Sequence, residues 1–353
     1  MTSVLTPERL AALRAPLERA VTEPVPVPPR QPVHTLYGGA HLFTADTARK
    51  MGQRALKALS DHAPDAHAFA ECLRLDEALA GRVHERVVAR LAREPVEDFR
   101  IDFEDGYGPR PDAEEDGHAE SAAREVARGL AEGGLPPFLG LRIKPLLPER
   151  LARAARTLER FLGTLLERTG GVLPPNFVVT LPKVTAPEQA AALASLLDLL
   201  EAHHGLPAGV LKVELIVESP RALFGPDGRL ALPGLVDAAR GRCTGVHFGP
   251  YDYTASVDIT AQHQRLTHPA CDHAREVMQV ALAGRPLALS DGPTSLLPVG
   301  PHKEGAQPLT PAQREDNRQV VHRAWRLMHT NVRHALERGY YPVIFHRRGH
   351  HGC

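Results

Sequence analysis

Short apolar, β-branched runs alternate with longer amphipathic runs along most of the chain, and this alternation constrains the fold more than any other feature of the sequence. The short runs predict eight strands, at 34–39, 98–105, 138–145, 176–184, 211–219, 244–252, 285–292 and 340–345. The longer runs predict helices between them, at 112–132, 148–169, 187–203, 269–283 and 311–339. A repeated strand-then-helix order is typical of a parallel sheet with right-handed crossover connections.

Eight such units predict an α/β domain folded as a (β/α)8 TIM barrel over residues 33–345, because that barrel needs eight strand–helix pairs in about 250 residues. A doubly wound open sheet is the alternative fold, but no G-x-G-x-x-G motif follows a predicted strand. Residues 1–32 form an N-terminal extension, with a predicted helix at 7–21 and a proline-rich linker at 23–32. Residues 346–353 are expected to form an irregular tail.

The charge balance argues against nucleic-acid and membrane partners. Lysine plus arginine and aspartate plus glutamate number 42 each in 353 residues, so the formal net charge is zero. A neutral chain has no overall attraction to polyphosphate or to anionic lipid, and an aromatic content of 5% offers little surface on which bases could stack. No segment approaches the roughly 20 apolar residues of a membrane span, and the charged N-terminus lacks an apolar signal core. We therefore expect a cytoplasmic protein.

Acidic side chains collect at the predicted carboxyl ends of the strands, where the active sites of barrels lie. Strand two runs into Asp102, Glu104 and Asp105, strand five ends at Glu218, and strand six runs into Asp252. Glu218 and Asp252 are 34 residues apart, the length of one strand–helix unit, so we expect their side chains to be neighbours. Oxygen ligands without a Cys or His cluster favour Mg²⁺, with Mn²⁺ as the alternative.

Each of these carboxylates could instead cap a helix or pair with an arginine, which is the ordinary role of an acidic side chain. Several of them together in one barrel mouth are harder to explain in that way, because unpaired charge in a partly dry cavity is costly. Tyr251 and Tyr253 flank Asp252, and strand alternation predicts that both point away from it.

Two lysines and a histidine near the same strand ends are further candidates. Lys144 and Lys183 could form a Schiff base, but neighbouring carboxylates stabilise the ammonium form, so Lys183 is expected to pair with the acidic cluster. His247 could act as an acid–base group, and a buried histidine that donates to a carbonyl is the alternative. We expect Lys183 and His247 to lie around the bound substrate or behind its ligands.

Four blocks in order resemble the citrate lyase β-subunit / HpcH–HpaI aldolase family of the phosphoenolpyruvate/pyruvate superfamily. The blocks are IDFEDGYGP at 101–109, LRIK at 141–144, LPKV at 181–184, and the pair LIVES at 215–219 and HFGPYDYTAS at 247–256. HFGPYDYTAS, HPACDHAREVMQVA and LSDGPTSLLPVG are further similar to an aldolase-like branch apart from the lyases with assigned substrates. Lys144 stands where the family more often has Asn, and the tail FHRRGHHGC departs from the family's usual ending.

The resemblance implies roles for the residues at the strand ends. Glu218 and Asp252 would be the magnesium ligands, and Arg142 would bind a carboxylate or enolate oxygen of the substrate. The acidic cluster of Asp102, Glu104 and Asp105 would hold metal-bound water and orient the arginine. Glu104 and Asp105 would be catalytic together with Arg142, and Asp102 would lie behind the ligands or beside the substrate. Carbon–carbon cleavage develops negative charge on an enolate oxygen, and a dication beside a guanidinium stabilises that charge.

The predicted function is therefore magnesium-dependent cleavage of a carbon–carbon bond in a short hydroxy- or oxo-acid, either free or as a CoA thioester. One alternative keeps the barrel and the metal for thioester hydrolysis or phosphoenolpyruvate-type chemistry. Another is a barrel that binds a metabolite without catalysis. Relatives in the family form trimers and hexamers, so the resemblance also implies a homo-oligomer of that kind.

Overall fold

The computed structural model describes residues 6–20, 30–303, 305 and 307–345. It has eight strands, and none extends more than one residue beyond the run that predicted it. The strands are β1 (Thr35–Gly39), β2 (Asp98–Asp102), β3 (Phe138–Arg142), β4 (Phe177–Leu181), β5 (Lys212–Val217), β6 (Cys243–Phe248), β7 (Ala288–Ser290) and β8 (Val343–Phe345). All neighbouring strands are parallel, in the spatial order β7-β6-β5-β4-β3-β2-β1-β8. The predicted α/β class with a parallel sheet is confirmed.

The two ends of this sheet meet at Tyr341. β8 pairs with β1, and Tyr341, two residues before β8, forms a parallel bridge with Ser290 of β7. The Tyr341 amide donates to the Leu289 carbonyl at 2.8 Å, and the Asp291 amide donates to the Tyr341 carbonyl at 2.7 Å. These hydrogen bonds connect β7 with the segment that leads into β8.

Helices connect the strands along the chain. Those of the described residues are α1 (Pro7–Ala20), α2 (Thr47–His62), α3 (Ala66–Leu73), α4 (Glu77–Arg93), α5 (Asp112–Glu132), α6 (Leu151–Thr169), α7 (Pro187–His204), α8 (Pro220–Leu223), α9 (Leu232–Ala238), α10 (Pro250–Ala255), α11 (Pro269–Leu282) and α12 (Pro311–Glu337). Short 3-10 helices lie at Ala40–Leu42 and Ala261–His263. The five helices predicted between the strands correspond to α5, α6, α7, α11 and α12.

No pattern above predicted α2, α3 and α4, which follow one another between β1 and β2. Asp65 and Asp76 start α3 and α4, since each carboxylate accepts a hydrogen bond from a first-turn amide at 2.8 Å. Apolar residues of these helices form a small cluster of their own, with Leu59 and Phe69 buried and Trp325 of α12 packed against them. The first crossover is thus a helical layer that packs on α12.

The two faces of the sheet differ in chemistry. Along β2, Phe99 and Ile101 pack into the main apolar core with residues of the surrounding helices. The alternate residues, Asp98, Arg100 and Asp102, are buried as well, and they lie on the opposite face. Burial on both faces is expected for a parallel sheet, but here one of the two buried faces carries charged side chains.

The predicted N-terminal helix is confirmed as α1. Its leucines, Leu10, Leu13 and Leu17, are all exposed. Residues 23–29 of the predicted proline-rich linker and the predicted tail (346–353) lie outside the described residues. None of the described helices combines the length and the apolar character that crossing a membrane requires.

Candidate functional site

Charged side chains converge at the carboxyl ends of the strands, as the barrel expectation requires. Arg142 is the last residue of β3, Lys183 follows β4, and Glu218 follows β5. Asp252 lies in the first turn of α10, directly after β6, and Asp105 lies in the turn after β2. Because these strands are parallel and consecutive, their ends share one edge of the sheet.

Three carboxylates face one another at this edge. One oxygen from each of Asp105, Glu218 and Asp252 lies within 4.8 Å of the others. Glu218 and Asp252 are therefore neighbours, as their spacing in the sequence predicts, and Asp105 completes the group. Carboxylate oxygens at this separation suit a hard divalent cation that takes oxygen ligands.

The environment of Glu218 also fits a cation. Its carboxylate is buried, and burial raises its pKa to about 7 in spite of nearby Lys183 and Arg142. Its Oε2 atom accepts a hydrogen bond from the Lys183 amide at 2.7 Å. A side chain at Gly249 would lie 2.4 Å from the Glu218 side chain, so only glycine leaves room for this carboxylate. Such a carboxylate gains from a cation that compensates its lost hydration.

Arg142 is held by a fork of hydrogen bonds. Its Nε and Nη2 atoms donate to the two oxygens of Asp102 at 2.7 and 2.5 Å, and both side chains are buried. The amides of Glu104 and Gly106 donate to the same carboxylate. Arg142 Nη1 lies 3.2 Å from Glu104 and 3.6 Å from Asp105. The guanidinium is thus fixed in one orientation beside the three carboxylates.

The structure separates three acidic residues that the sequence grouped together. Asp102 binds Arg142, while Glu104 lies between Arg142 and Lys183, where burial raises its pKa. Asp105 alone of the three turns toward Glu218 and Asp252. Asp105 therefore has the geometry of a metal ligand, a role that the sequence did not separate from those of its neighbours.

Lys183 lies among the carboxylates as an ammonium group. Its Nζ atom is 2.7 Å from Glu104, 3.0 Å from Asp252 and 3.4 Å from Asp105. Burial pushes the pKa of Lys183 down, but Glu218, Glu104 and Asp105 push it up further and hold it above its ordinary value. Its backbone has a φ of 53°, a left-handed conformation that a non-glycine residue adopts at an energetic cost.

Neither candidate lysine has the surroundings of a Schiff-base nucleophile. A nucleophilic amine needs a lowered pKa, whereas the carboxylates around Lys183 raise its pKa. Lys144 turns away from the three carboxylates, and its Nζ atom donates to Glu115 at 2.6 Å and to the Phe103 carbonyl at 2.9 Å.

A cavity opens beside these residues. Its lining includes Tyr37, Asp105, Arg142, Glu218, His247, Tyr251, Asp252 and Asp291. The cavity is lined by a guanidinium and by all three members of the carboxylate group, so it has the chemistry to receive an anionic oxygen-bearing ligand.

The prediction that Tyr251 points away from Asp252 was wrong, and its premise fails for both tyrosines, because β6 ends at Phe248 and both lie on α10. Strand alternation therefore does not apply to them. Tyr251 lines the same cavity as Asp252, and its hydroxyl donates to the Pro293 carbonyl at 2.7 Å. Tyr253 is buried in the apolar core.

His247, on β6, lines the same cavity. Its Nε2 atom lies 2.7 Å from Oε2 of Glu214, so its partner is a carboxylate rather than the carbonyl considered above. Glu214 in turn accepts a hydrogen bond from Arg100 at 2.8 Å, and Arg100 also pairs with Asp98.

Sequence reasoning missed Asp98, Arg100 and Glu214. A signal for them exists in the period of two, since Asp98, Arg100 and Asp102 alternate along β2 with apolar residues. In the same way Glu214 of β5 lies four residues, or two periods of the strand, before Glu218, which follows that strand. Charges at alternate positions of a buried strand indicate a charged inner face.

Comparison with known proteins adds a family and a fold. A family model described as "Domain of unknown function (DUF6986)" matches residues 15–343. A 90-residue segment is 41% identical to human protein ABHD15, but it spans 24% of this chain and 18% of that protein. A match of that extent bears on neither the family nor the fold.

Solved structures of malate synthase from Haloferax volcanii share the fold. Its lead(II) complex has a TM-score of 0.51 at 18% identity, over 76% of this chain and 66% of that chain. Its pyruvate/acetyl-CoA complex has a TM-score of 0.54 at 17% identity, over 90% and 67%. A citrate lyase from Burkholderia xenovorans matches at 15% identity over 92% and 96%, with a TM-score of 0.48. The chain thus spans about two thirds of the malate synthase, and at these identities the likeness shows the fold alone.

The malate synthase structures show the fold, and the sequence motifs themselves resemble the citrate lyase β-subunit / HpcH–HpaI aldolase family. The family description states no activity, which agrees with a branch apart from the lyases with assigned substrates.

Proposed function

This chain belongs to the DUF6986 family, and from the geometry of its site we propose that it is a magnesium-dependent enzyme that cleaves or forms a carbon–carbon bond in a short hydroxy- or oxo-acid. One observation carries the proposal: Asp105, Glu218 and Asp252 meet in the same cavity as the buried Arg142. This arrangement offers a cation site next to an anion site, which enolate chemistry without a Schiff base requires.

Glu218, Asp252 and Asp105 would hold the metal ion. Three carboxylates favour Mg²⁺ over softer metals, and Mn²⁺ is the alternative ion. Bound there, the ion supplies Lewis-acid stabilisation of negative charge on a substrate oxygen. Lys183, which lies 3.0 Å from Asp252, balances part of the carboxylate charge.

Arg142 would bind the substrate carboxylate or the oxygen that becomes negative as the carbon–carbon bond breaks. The fork from Asp102 orients the guanidinium before substrate arrives, so little reorganisation is needed in the transition state. Glu104 is a positioning residue, since it touches both Arg142 and Lys183.

We also propose that the sheet closes into a complete (β/α)8 barrel spanning residues 33–345. The support is the bridge between Ser290 and Tyr341 together with the two hydrogen bonds of the Tyr341 backbone. Closure would place the charged face of the sheet inside the barrel, and the carboxylates of Asp105, Glu218 and Asp252 would lie at the carboxyl ends of its strands.

The proposed substrate is a small carboxylic or 2-oxo acid, and a CoA thioester is the larger alternative. Arg142 and the carboxylates that line the cavity suit the acid part of either. The neighbouring malate synthase was solved with magnesium and glyoxylate, and with pyruvate and acetyl-CoA. Assembly into a homo-trimer or hexamer and a cytoplasmic location stay predictions.

Product analysis tests the proposed function. Purified protein with MgCl₂ is offered malate, citramalate, their CoA thioesters and 4-hydroxy-2-oxo acids, and the products are separated by mass. A lyase releases two carbon fragments, whereas thioester hydrolysis releases CoA and an intact acid. A barrel that only binds a metabolite gains thermal stability with ligand but yields no product.

Variants link any turnover to the site. Glu218→Gln and Asp252→Asn should each lower turnover at least 100-fold and remove the thermal stabilisation by Mg²⁺. Glu167→Gln, on an exposed part of α6, is the matched control and should behave as wild type. Full turnover in the first two variants, or in excess EDTA, would contradict a metal-dependent mechanism.

A further inference from the structure

The imidazole of His247 and the carboxylate of Glu214 form a buried pair directly below the proposed active site. His247 is 5% exposed and lines the cavity that holds Arg142 and the three carboxylates. We propose that His247 is the general acid–base that moves a proton to and from the substrate carbon, with Glu214 as its positioning residue. This inference rests on the proposed function, which states no proton-transfer group.

Glu214 determines which ring nitrogen of His247 can act as a base. Burial raises the pKa of Glu214, but Arg100 and His247 lower it further, to about 2, so the carboxylate stays ionised. An ionised carboxylate only accepts hydrogen bonds. At 2.7 Å from Oε2 of Glu214, the Nε2 atom of His247 must therefore carry the hydrogen. The neutral imidazole then has its lone pair on Nδ1.

The Nδ1 atom is buried and has no hydrogen-bond partner among the described residues. A buried acceptor without a donor is costly, and a ligand or water can supply the missing partner. His247 lines the cavity that also holds Arg142 and Glu218, so its ring borders the space that a substrate would occupy. No described side chain competes for Nδ1.

The charged neighbours of the imidazole are fixed in place. Arg100, on β2, binds both Asp98 and Glu214, and Arg142 on β3 is bound by Asp102. Tyr37 of β1 meets the imidazole edge-on, with ring centroids 6.3 Å apart. The imidazole therefore contacts the Glu214 carboxylate and also borders the substrate cavity, the arrangement that a histidine base needs.

A second cavity reaches the same pair from the opposite end of the strands. Its lining includes Asp98, Arg100, Glu214 and His247. His247 is the one described residue that lines both cavities. The pair thus separates the substrate cavity from a polar cavity on its far side, away from the carboxylates that would hold the metal.

The proposed proton transfer is reversible and runs between Nδ1 of His247 and a substrate carbon. In the direction of bond formation, Nδ1 takes a proton from the carbon next to the substrate carbonyl. The C–H electron pair becomes the carbon–carbon double bond of the enolate, and the carbonyl π pair moves to the oxygen beside Arg142. In the direction of cleavage the oxygen pair re-forms the carbonyl, and the enolate carbon takes the proton back from the imidazolium.

Hydrogen–deuterium exchange isolates this step from carbon–carbon chemistry. Protein with MgCl₂ in D₂O is incubated separately with pyruvate, 2-oxobutyrate and acetyl-CoA. Loss of the proton signal at the carbon next to the ketone or thioester carbonyl is followed by NMR. Wild-type protein should exchange at least one of these probes. In His247→Gln the amide nitrogen can still donate to Glu214, but the base is gone, so exchange should fall about 100-fold or more.

Controls separate a chemical role from a structural one. Thermal stabilisation of His247→Gln by Mg²⁺ should match wild type, and His263→Gln, at an exposed position, should exchange normally. ¹⁵N NMR of resting wild-type protein should show His247 with its hydrogen on Nε2. Glu214→Gln should populate both tautomers and slow exchange about 10-fold, a spectroscopic change that a purely structural role would not produce.

Each outcome has a distinct meaning. Exchange by His247→Gln at the wild-type rate, or a hydrogen on Nδ1 in the resting protein, would overturn the assignment of His247 and leave the proposed function intact. Failure of wild-type protein to exchange any probe would overturn both this assignment and the enolate chemistry of the proposed function.

Discussion

The carboxylate of Asp102 accepts two hydrogen bonds from the guanidinium of Arg142, at 2.7 and 2.5 Å, and both side chains are buried. Asp102 ends β2 and Arg142 ends β3, and the two residues are direct partners in the parallel register. The register thus brings together two charges 40 residues apart, and the turns after neighbouring strands place the candidate metal ligands beside them.

Replacement of Arg142 by lysine should show that the fork matters as well as the charge. Lysine keeps the positive charge but cannot make the paired hydrogen bonds to Asp102. We expect turnover to fall about 100-fold, mainly in kcat, while Mg²⁺ still stabilises the protein in thermal unfolding. Arg168→Lys, at an exposed position on α6, is the control. Unchanged kcat in Arg142→Lys would mean that the guanidinium does not contact the reacting oxygen.

Gly249→Ala should weaken metal binding without touching a ligand. The added methyl group would lie 2.4 Å from the Glu218 side chain and displace its carboxylate. We expect the Kd for Mg²⁺, measured by calorimetry, to rise at least 10-fold. Gly163→Ala in α6 is the control, because its methyl group meets nothing closer than 3.7 Å and should leave Mg²⁺ binding unchanged. Equal Mg²⁺ affinity in both variants would argue against Glu218 as a ligand.

Lys183→Met should make the protein more dependent on the metal. Lys183 is the ammonium group that contacts Glu104, Asp105 and Asp252, so its loss removes part of the positive charge that offsets their repulsion. We expect a lower Tm without metal and a larger gain of Tm with Mg²⁺ than in wild type. Lys57→Met, an exposed change on α2, should alter neither value.

The same lysine should resist covalent trapping, because a raised pKa keeps its amine protonated. Borohydride added to wild-type protein with pyruvate should leave the protein mass unchanged. A mass increase that depends on Lys183 would show Schiff-base chemistry and contradict the proposed mechanism.

Asp116 should stabilise the fold in a pH-dependent way. Hydrogen bonds from Arg156 and Arg153 lower its pKa from 3.8 to about 2. A carboxyl whose pKa is lower in the folded state contributes stability above its unfolded pKa and loses that contribution as the pH falls toward 2. Asp116→Asn should therefore cost about 1–2 kcal/mol of unfolding free energy at pH 7, after allowance for solvent screening.

Urea unfolding at pH 7, 5 and 3.5 measures this difference for Asp116. The gap between wild type and Asp116→Asn should be constant from pH 7 to 5 and should shrink at pH 3.5. Asp227→Asn, at an exposed position, should show no comparable gap at any pH. A gap that widens on acidification would contradict the lowered pKa.

The sequence by itself determined the fold class, the order of the strands and the edge of the sheet at which function is sought. Strand–helix alternation predicts a parallel sheet, and consecutive units bring the ends of β5 and β6 together, so the meeting of Glu218 and Asp252 could be predicted from their spacing. Asp65 and Asp76 cap two helices that were not predicted, so the sequence carried a capping signal for helices between β1 and β2.

Tertiary structure alone decided which partner each of several similar side chains contacts. Asp102, Glu104 and Asp105 are nearly adjacent in the chain, and only the three-dimensional path of the turn after β2 sends one to Arg142 and another to the candidate metal site. The pairing of His247 with Glu214 depends on the register between β5 and β6, which spacing does not specify to one residue. A linear pattern specifies which strand end or face a residue occupies, whereas the partner of a charge depends on distances that exist only after the chain has folded.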